Sequence, residues 1–286
     1  MTSRLGLRPL SYGADLPILR ADPQWESAVQ YETIRYAVRE DIAIVTMNRT
    51  KVANALDTQM RAELAHAVKR AGSEARVMVL TGAGRAFCAG QDLGDRANPA
   101  NIDLERLLRD EYTPLLQAIQ DSPIPTLAAV NGAAAGAGAN LALACDVVIA
   151  TESAVFLQAF TRIGLIPDAG GTYWLPRKVG FAKAMGAALF AEPIPAREAD
   201  AMGMIWEAVP DVDFADHWWS RARQLAEGPT AAYAHVKRAI RETYDNSLET
   251  QLELEAKMQG ECGQTRDFKE GIVAFLEKRK PRFEGR

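Results

Sequence analysis

Four short stretches combine residue types that could do chemistry. Ile166-Pro-Asp-Ala-Gly-Gly-Thr172 carries a carboxylate, Asp168, between apolar flanks. A carboxylate that water reaches poorly has a raised pKa and suits a general base. Pro-Asp-x-Gly is equally an ordinary turn signature, and both readings stand. Asn131-Gly-Ala-Ala-Ala-Gly-Ala-Gly-Ala-Asn140 is a run of small residues that lets a second backbone or a ligand come close. A helix starting inside it would aim free N–H groups and its positive end at a developing negative charge. Close strand–helix packing explains the same composition. Ala86-Phe-Cys-Ala-Gly-Gln-Asp92 is a turn after a strand, with Asp92 placed to accept local backbone N–H groups. Two such loops can direct two backbone N–H groups at one carbonyl oxygen, which is an oxyanion hole. Thr81-Gly-Ala-Gly-Arg85 lacks the Lys-Ser/Thr ending of a phosphate loop and does not complete GxGxxG, so it reads as a tight turn.

Other chemistries lack their residues. His66, His217 and His235 all fall in helical segments away from the glycine-rich stretches. There is no GxSxG elbow and no HExxH helix. Cys88, Cys145 and Cys262 are odd in number and widely spaced, which argues against a disulfide framework. No CxxC pair or Cys/His cluster offers a metal site. The formal net charge of −4 argues against a nucleic-acid partner. Leu127 to Ala150 is nearly free of charge, but it is Ala- and Gly-rich and is interrupted by Asn131, Asn140 and Asp146. It reads as strand, helix and strand, so no membrane association is expected. Residues 1–30 mix Pro and charge without an apolar run of signal-peptide length, which makes the cytoplasm the expected location.

These stretches need elements to hold them. Ile42–Met47, Val77–Thr81, Thr126–Val130 and Asp146–Ala150 read as strands, and Asp57 can cap a helix from Thr58 to about Ala71. The alternation predicts an α/β fold with parallel pairing. After about residue 179 the pattern is mostly helical. Pro195 and Glu198 are expected to open one helix, with others over 213–226, 230–243, 247–262 and about 267–278.

Taken together, the motifs resemble the crotonase (enoyl-CoA hydratase/isomerase) superfamily. The carrying residues are Asn48-Arg49 with Asn54-Ala-Leu56, Thr81 to Leu93, Val130 to Asp146, and Gly164 to Thr172, in family order. The resemblance covers about Tyr31 to the C-terminus. It implies an N-terminal extension (1–30), a spiral of ββα units (31–225) and a helical C-terminal trimerisation region (226–286). It implies an acyl-CoA thioester as substrate, a homotrimer or dimer of trimers, and an enolate held by two backbone N–H groups. By motif match these fall on Ala89 and Ala137; the second position is commonly Gly in hydratases. Coenzyme A is expected near Lys51, Val52 and Ala53, and along Ala86, Ala89, Gln91 and Asp92. Phe275 and Lys278 resemble a coenzyme A contact made by a neighbouring subunit or by the C-terminal helix; a charge on a solvated helix end is the other reading. An enolate route of this kind needs no metal or redox cofactor.

The departures from the family pattern bear on the reaction. Hydratases of this family use two glutamates, and the matching positions here are Asn140 and Phe160. Neither side chain can take up or return a proton as a base would. Asp168 stands where hydratases often have Gly. Gly82 to Leu93, Ala134 to Ala139 and Gly164 to Arg177, with Ala184 to Gly186 and Gly203 to Trp206, look most like the ring-1,2-epoxyphenylacetyl-CoA isomerase branch, and Phe156, Leu157 and Phe160 are expected to shape a water-poor acyl pocket. The implied reaction opens the ring epoxide to an oxepin, and such enzymes also shift double bonds in unsaturated acyl-CoA. Rival readings are an enoyl-CoA hydratase or Δ3,Δ2-enoyl-CoA isomerase, the dihydroxynaphthoyl-CoA synthase branch, and a catalytically silent acyl-CoA-binding subunit.

Overall fold

In the computed structural model, which describes residues 30–94 and 103–286, the described part begins with an antiparallel hairpin. Its strands are β1 (Ile34–Arg39) and β2 (Ile42–Met47). Asp57 accepts from Met60 N at 2.7 Å and starts α1 (Thr58–Glu74) as the sequence predicts. The chain then follows one path three times. β3 (Val77–Gly82) enters a large sheet and β4 (Ala86–Cys88) a small one. α2 (Leu104–Leu107), a π-helical turn over Leu108–Tyr112 and α3 (Thr113–Gln120) lead back. β5 (Thr126–Val130), β6 (Ala133–Ala135) and α4 (Ala137–Ala144) make the second circuit. β7 (Val147–Thr151), β8 (Val155–Leu157) and α5 (Gly171–Phe190) make the third. β9 (Ile194–Pro195), α6 (Ala196–Ala201) and β10 (Glu207–Val209) complete both sheets. Four helices follow: α7 (Phe214–Ala226), α8 (Thr230–Glu242), α9 (Leu248–Gly263) and α10 (Arg266–Leu276). The large sheet runs β1-β2-β3-β5-β7-β10 and is parallel after the first hairpin; the small sheet runs β4-β6-β8-β9. This is the spiral of ββα units that the resemblance implies. The extension over residues 1–30 lies outside the described residues, Gln30 apart.

Residue period explains why β2 and β3 are apolar on both faces, Thr46, Thr81 and Gly82 apart. Ala43, Val45, Met78 and Leu80 face α1, α3 and α4, while Ile42, Ile44, Val77 and Val79 face Phe214, Trp218 and Trp219 of α7. A strand covered on both faces has no solvent side to keep polar. Among the described residues no helix is long and apolar enough to cross a membrane; Leu127–Ala150 divides into β5, β6, α4 and β7.

A half-buried ion cluster fastens α8 to the sheet. Asp146 accepts from Thr126 N, from Lys237 Nζ at 2.9 Å and from Arg241 Nη2 at 2.5 Å. Lys237 also donates to Ser122 O and Ile124 O. Asp146→Ala strands two cations at this junction. A loss of about 3 kcal/mol in unfolding free energy is expected, measured by urea titration.

Candidate active site

The loop after β4 meets the start of α4. Gly90 has a φ of +91°, and a Cβ there would lie 2.7 Å from Ala135 O and 3.4 Å from Ala137 N. Only glycine lets these two backbones come so close. Ala137 is buried at the first position of α4, where helix N–H groups have no partner within the helix. Its N–H therefore carries the positive end of the helix into the junction.

The loop after β4 does not offer the free N–H that was expected of it. Ala89 N–H is committed to Ala53 O at 3.0 Å, so it does not serve as the free donor that motif matching assigned to it. Gly90 N–H contacts Cys88 Sγ at 3.5 Å, and Asp92 N–H donates to Leu56 O. Among the described residues nothing accepts from Gln91 N–H. Peptide geometry aims it. Gly90 O accepts from Leu56 N at 2.7 Å, and in a planar trans peptide the following N–H points the opposite way. The free N–H groups of Gln91 and Ala137 thus belong to the two backbones that Gly90 brings together.

Asp168 lies in the loop before α5 and is fastened to α4. Its carbonyl accepts from Asn140 Nδ2 at 2.7 Å and from Gly171 N at 2.8 Å. Asn140 is fully buried, and its Oδ1 accepts from Gln158 Nε2 at 2.7 Å. Ala169 and Gly170 both take positive φ, which turns the chain sharply beyond the aspartate. The carboxylate itself is poorly solvated. Asp168 Oδ1 is buried, with no hydrogen-bond partner among the described residues. Burial pushes the carboxyl from the ordinary 3.8 up to about 6. Asp168 is therefore more than an exposed turn residue. The Phe160 ring lies 3.7 Å from where a Cβ on Gly136 would be, packed against the N-cap of α4. The positions of the two hydratase glutamates thus hold an amide already spent on a carbonyl and a buried ring. Asn140→Ala frees the Asp168 loop; a drop in turnover of about tenfold or more with little change in KM is expected in steady-state kinetics.

The remaining expected residues are scattered. Ala86 is buried in β4. Asp92 accepts from Gly94 N and pairs with Arg49 at 2.8 Å, which makes it a brace of the loop. Lys51 and Val52 are exposed on a 3₁₀ turn, next to Ala53 at a φ of +51°. Phe275 and Lys278 are exposed at the end of α10. The tail beyond them, at Phe283 O, accepts from Arg76 at the start of β3, whereas the loop that carries Gln91 follows the other end of that strand. Within one chain no described contact joins Phe275 or Lys278 to Asp168. The three histidines bond elsewhere, to Tyr31, Glu207 and Glu261. Sequence reasoning missed Gln158 and Arg61. Arg61 carried a signal, being a charge on the apolar face of α1 between Met60 and Leu64.

Known proteins resemble this chain in sequence and in fold. The enoyl-CoA hydratase/isomerase family model matches residues 37–286. A protein of Rhodobacter capsulatus described as a probable enoyl-CoA hydratase is 64% identical over 90% of this chain and 100% of its own. The 1,2-epoxyphenylacetyl-CoA isomerase of Escherichia coli is 44% identical over 89% of this chain and 99% of its own. The crystal structure of an enoyl-CoA hydratase from Bacillus anthracis superposes with a TM-score of 0.83 at 32% identity, covering 89% of this chain and 100% of that one.

Proposed function

The chain belongs to the enoyl-CoA hydratase/isomerase family, and within it we propose an acyl-CoA isomerase that moves a proton on Asp168. Asp168 takes a proton alpha or gamma to the thioester carbonyl and returns one at another carbon. The N–H groups of Gln91 and Ala137 hold the enolate oxygen, in place of the Ala89–Ala137 pair. Fixed donors aimed at developing charge are a large catalytic term in a site that excludes water. Ring-1,2-epoxyphenylacetyl-CoA is the assigned substrate, converted to oxepin-CoA, with double-bond shifts in unsaturated acyl-CoA as the accompanying activity. Coenzyme A runs past Lys51, Val52 and Ala53, and Phe275 and Lys278 reach it from a neighbouring subunit. The assembly is a homotrimer or a dimer of trimers in the cytoplasm. The exposed Phe181, Leu189 and Phe190 of α5 and Phe275 and Leu276 of α10 support an assembly, because such apolar surface favours contact between subunits.

The observation that carries the reading is Asp168: a poorly solvated carboxylate with an unpartnered oxygen, its carbonyl held by Asn140, in a chain where Asn140 and Phe160 stand at the positions of the water-activating acids. Its burial also weighs against a catalytically silent binder. The alternative is hydration, which the Rhodobacter capsulatus relative favours. Paired assays separate the two. Crotonyl-CoA reports hydration, and a 3-enoyl-CoA reports conversion to the 2-enoyl isomer. Isomerisation without appreciable hydration supports the proposal and justifies preparing the epoxide substrate. Fast hydration overturns it.

A further inference from the structure

Gln91 is held on every side. Its side-chain Oε1 accepts from Tyr112 Oη at 2.8 Å and from Arg61 Nη1 at 2.9 Å. Its Nε2 donates to Asp92 O at 3.1 Å. Its two flanking peptides bond Leu56 N and Leu56 O. The holders are themselves fixed. The Arg61 side chain is fully buried and donates to Leu56 O and Thr58 Oγ1, and pairs with Glu111 at 2.6 Å. Its guanidinium sits 5.0 Å from the Tyr112 ring centroid. Tyr112 is 3% exposed and closes the π-helical turn, an uncommon element that is often found at functional sites. Its hydroxyl also lies within electrostatic reach of Asp168.

This arrangement is costly unless position matters. A buried guanidinium needs several partners, and here one of them is the side chain whose own backbone N–H is left free. Fixing the Gln91 amide on two rigid donors removes rotation of the loop about its exposed end. The direction of the Gln91 N–H is then set before substrate arrives. We propose that Arg61 and Tyr112 are positioning residues that lock Gln91, so that its N–H is already aimed at the thioester oxygen. The proposal rests on the oxyanion reading above. It adds to it that the hole is organised by side chains from α1 and from the turn before α3.

The test uses a bound chromophore in place of turnover. A 2,4-dienoyl-CoA shifts its absorbance to the red when hydrogen bonds polarise its carbonyl, whether or not Asp168 acts. Wild type, Tyr112→Phe, Gln91→Leu and the double variant are compared in the full-length protein, with thermal melts and acyl-CoA affinity as controls for folding. The expected result is a red shift in wild type that falls by half or more in Tyr112→Phe. Turnover should fall about tenfold with KM nearly unchanged. Because Tyr112 acts through Gln91, its loss should add little in the Gln91→Leu background. A full red shift in Tyr112→Phe overturns the positioning role, and so do additive effects in the double variant. No red shift in wild type overturns the oxyanion assignment and this proposal together. A red shift kept in Asp168→Asn keeps this proposal standing even where the isomerase reading fails.

Discussion

Asp168→Asn is expected to lower isomerisation of a 3-enoyl-CoA by about 10³-fold while leaving acyl-CoA affinity nearly unchanged. The exchange keeps the shape of the side chain and removes only its ability to take a proton. The backbone carbonyl of Asp168, which Asn140 and Gly171 hold, is untouched. Loss of kcat with KM preserved therefore separates a base from a binding residue. The pH profile gives an independent check. With the carboxyl raised to about 6, the base is protonated and idle below that pH and ionised above it. In wild type, kcat/KM should climb about tenfold per pH unit below 6 and level off by pH 7–8. Stability should move in the opposite sense. A carboxyl raised from 3.8 to about 6 on folding costs nothing below pH 3.8, where both states are protonated. The cost grows between those values and is complete above pH 6. Its upper bound is about 3 kcal/mol. Asp168→Asn should therefore melt higher than wild type at pH 8, and the gap should close near pH 4. Unchanged turnover in Asp168→Asn would remove the proton-shuttle assignment.

The sequence carried the repeating frame well because that frame obeys short-range rules. Ile42–Met47 is apolar but for Thr46 and is a doubly covered strand, and Asp57 caps α1 where a capping residue precedes an apolar period. The same local signals located α7 through α10, with Ser247 capping α9. What escaped depended on distant partners. The helical path over 104–120 went unassigned, and so did β4, β6 and β8, since strands of three residues are too short to show a period. The site divides in the same way. Asp168 stood out by its apolar flanks and the second glycine-rich run by its small residues, while Ala137 within that run came only from the family match. Gln91 was read as a coenzyme A contact and Ala89 as the donor, because motif matching gives the loop but not the direction of each peptide. That direction follows from Leu56 pairing with Gly90 O and Asp92 N, about 35 residues earlier in the chain, and no local pattern reports it. Asn140 shows the converse. As an amide in place of an acid it argued only against hydration, and the fold shows what it does instead.

The second large effect is expected at Gly138, where alanine should cost both stability and activity. Glycine inside a helix is ordinarily worse than alanine by about 1 kcal/mol, so propensity alone predicts a gain. At Gly260 of α9 nothing lies within 4 Å of an added Cβ, and the gain should appear there. At Gly138 the added Cβ would fall 2.4 Å from Cys88 O and 2.7 Å from Cys88 Cβ and Sγ. The nearest atom is backbone in β4 and cannot turn away. Relief requires α4 to move off β4 by about 1 Å, against an ordinary contact near 3.5 Å. Overpacking of this kind costs about 1–3 kcal/mol beyond the lost propensity gain. The same displacement carries Ala137 N–H away from the loop that holds Gln91 N–H, and a misplacement of about 1 Å costs on the order of 10² in rate. Gly138→Ala should therefore unfold earlier in urea than wild type and turn over at least about 10²-fold more slowly, while Gly260→Ala does neither. Trimming the thiol gives the discriminating control. Because the closest clash is with the Cys88 carbonyl, Cys88→Ala should leave the Gly138→Ala defect largely in place. Rescue by Cys88→Ala would place the constraint on the sulfur instead, and would remove the claim that backbone against backbone sets the spacing of the two donors.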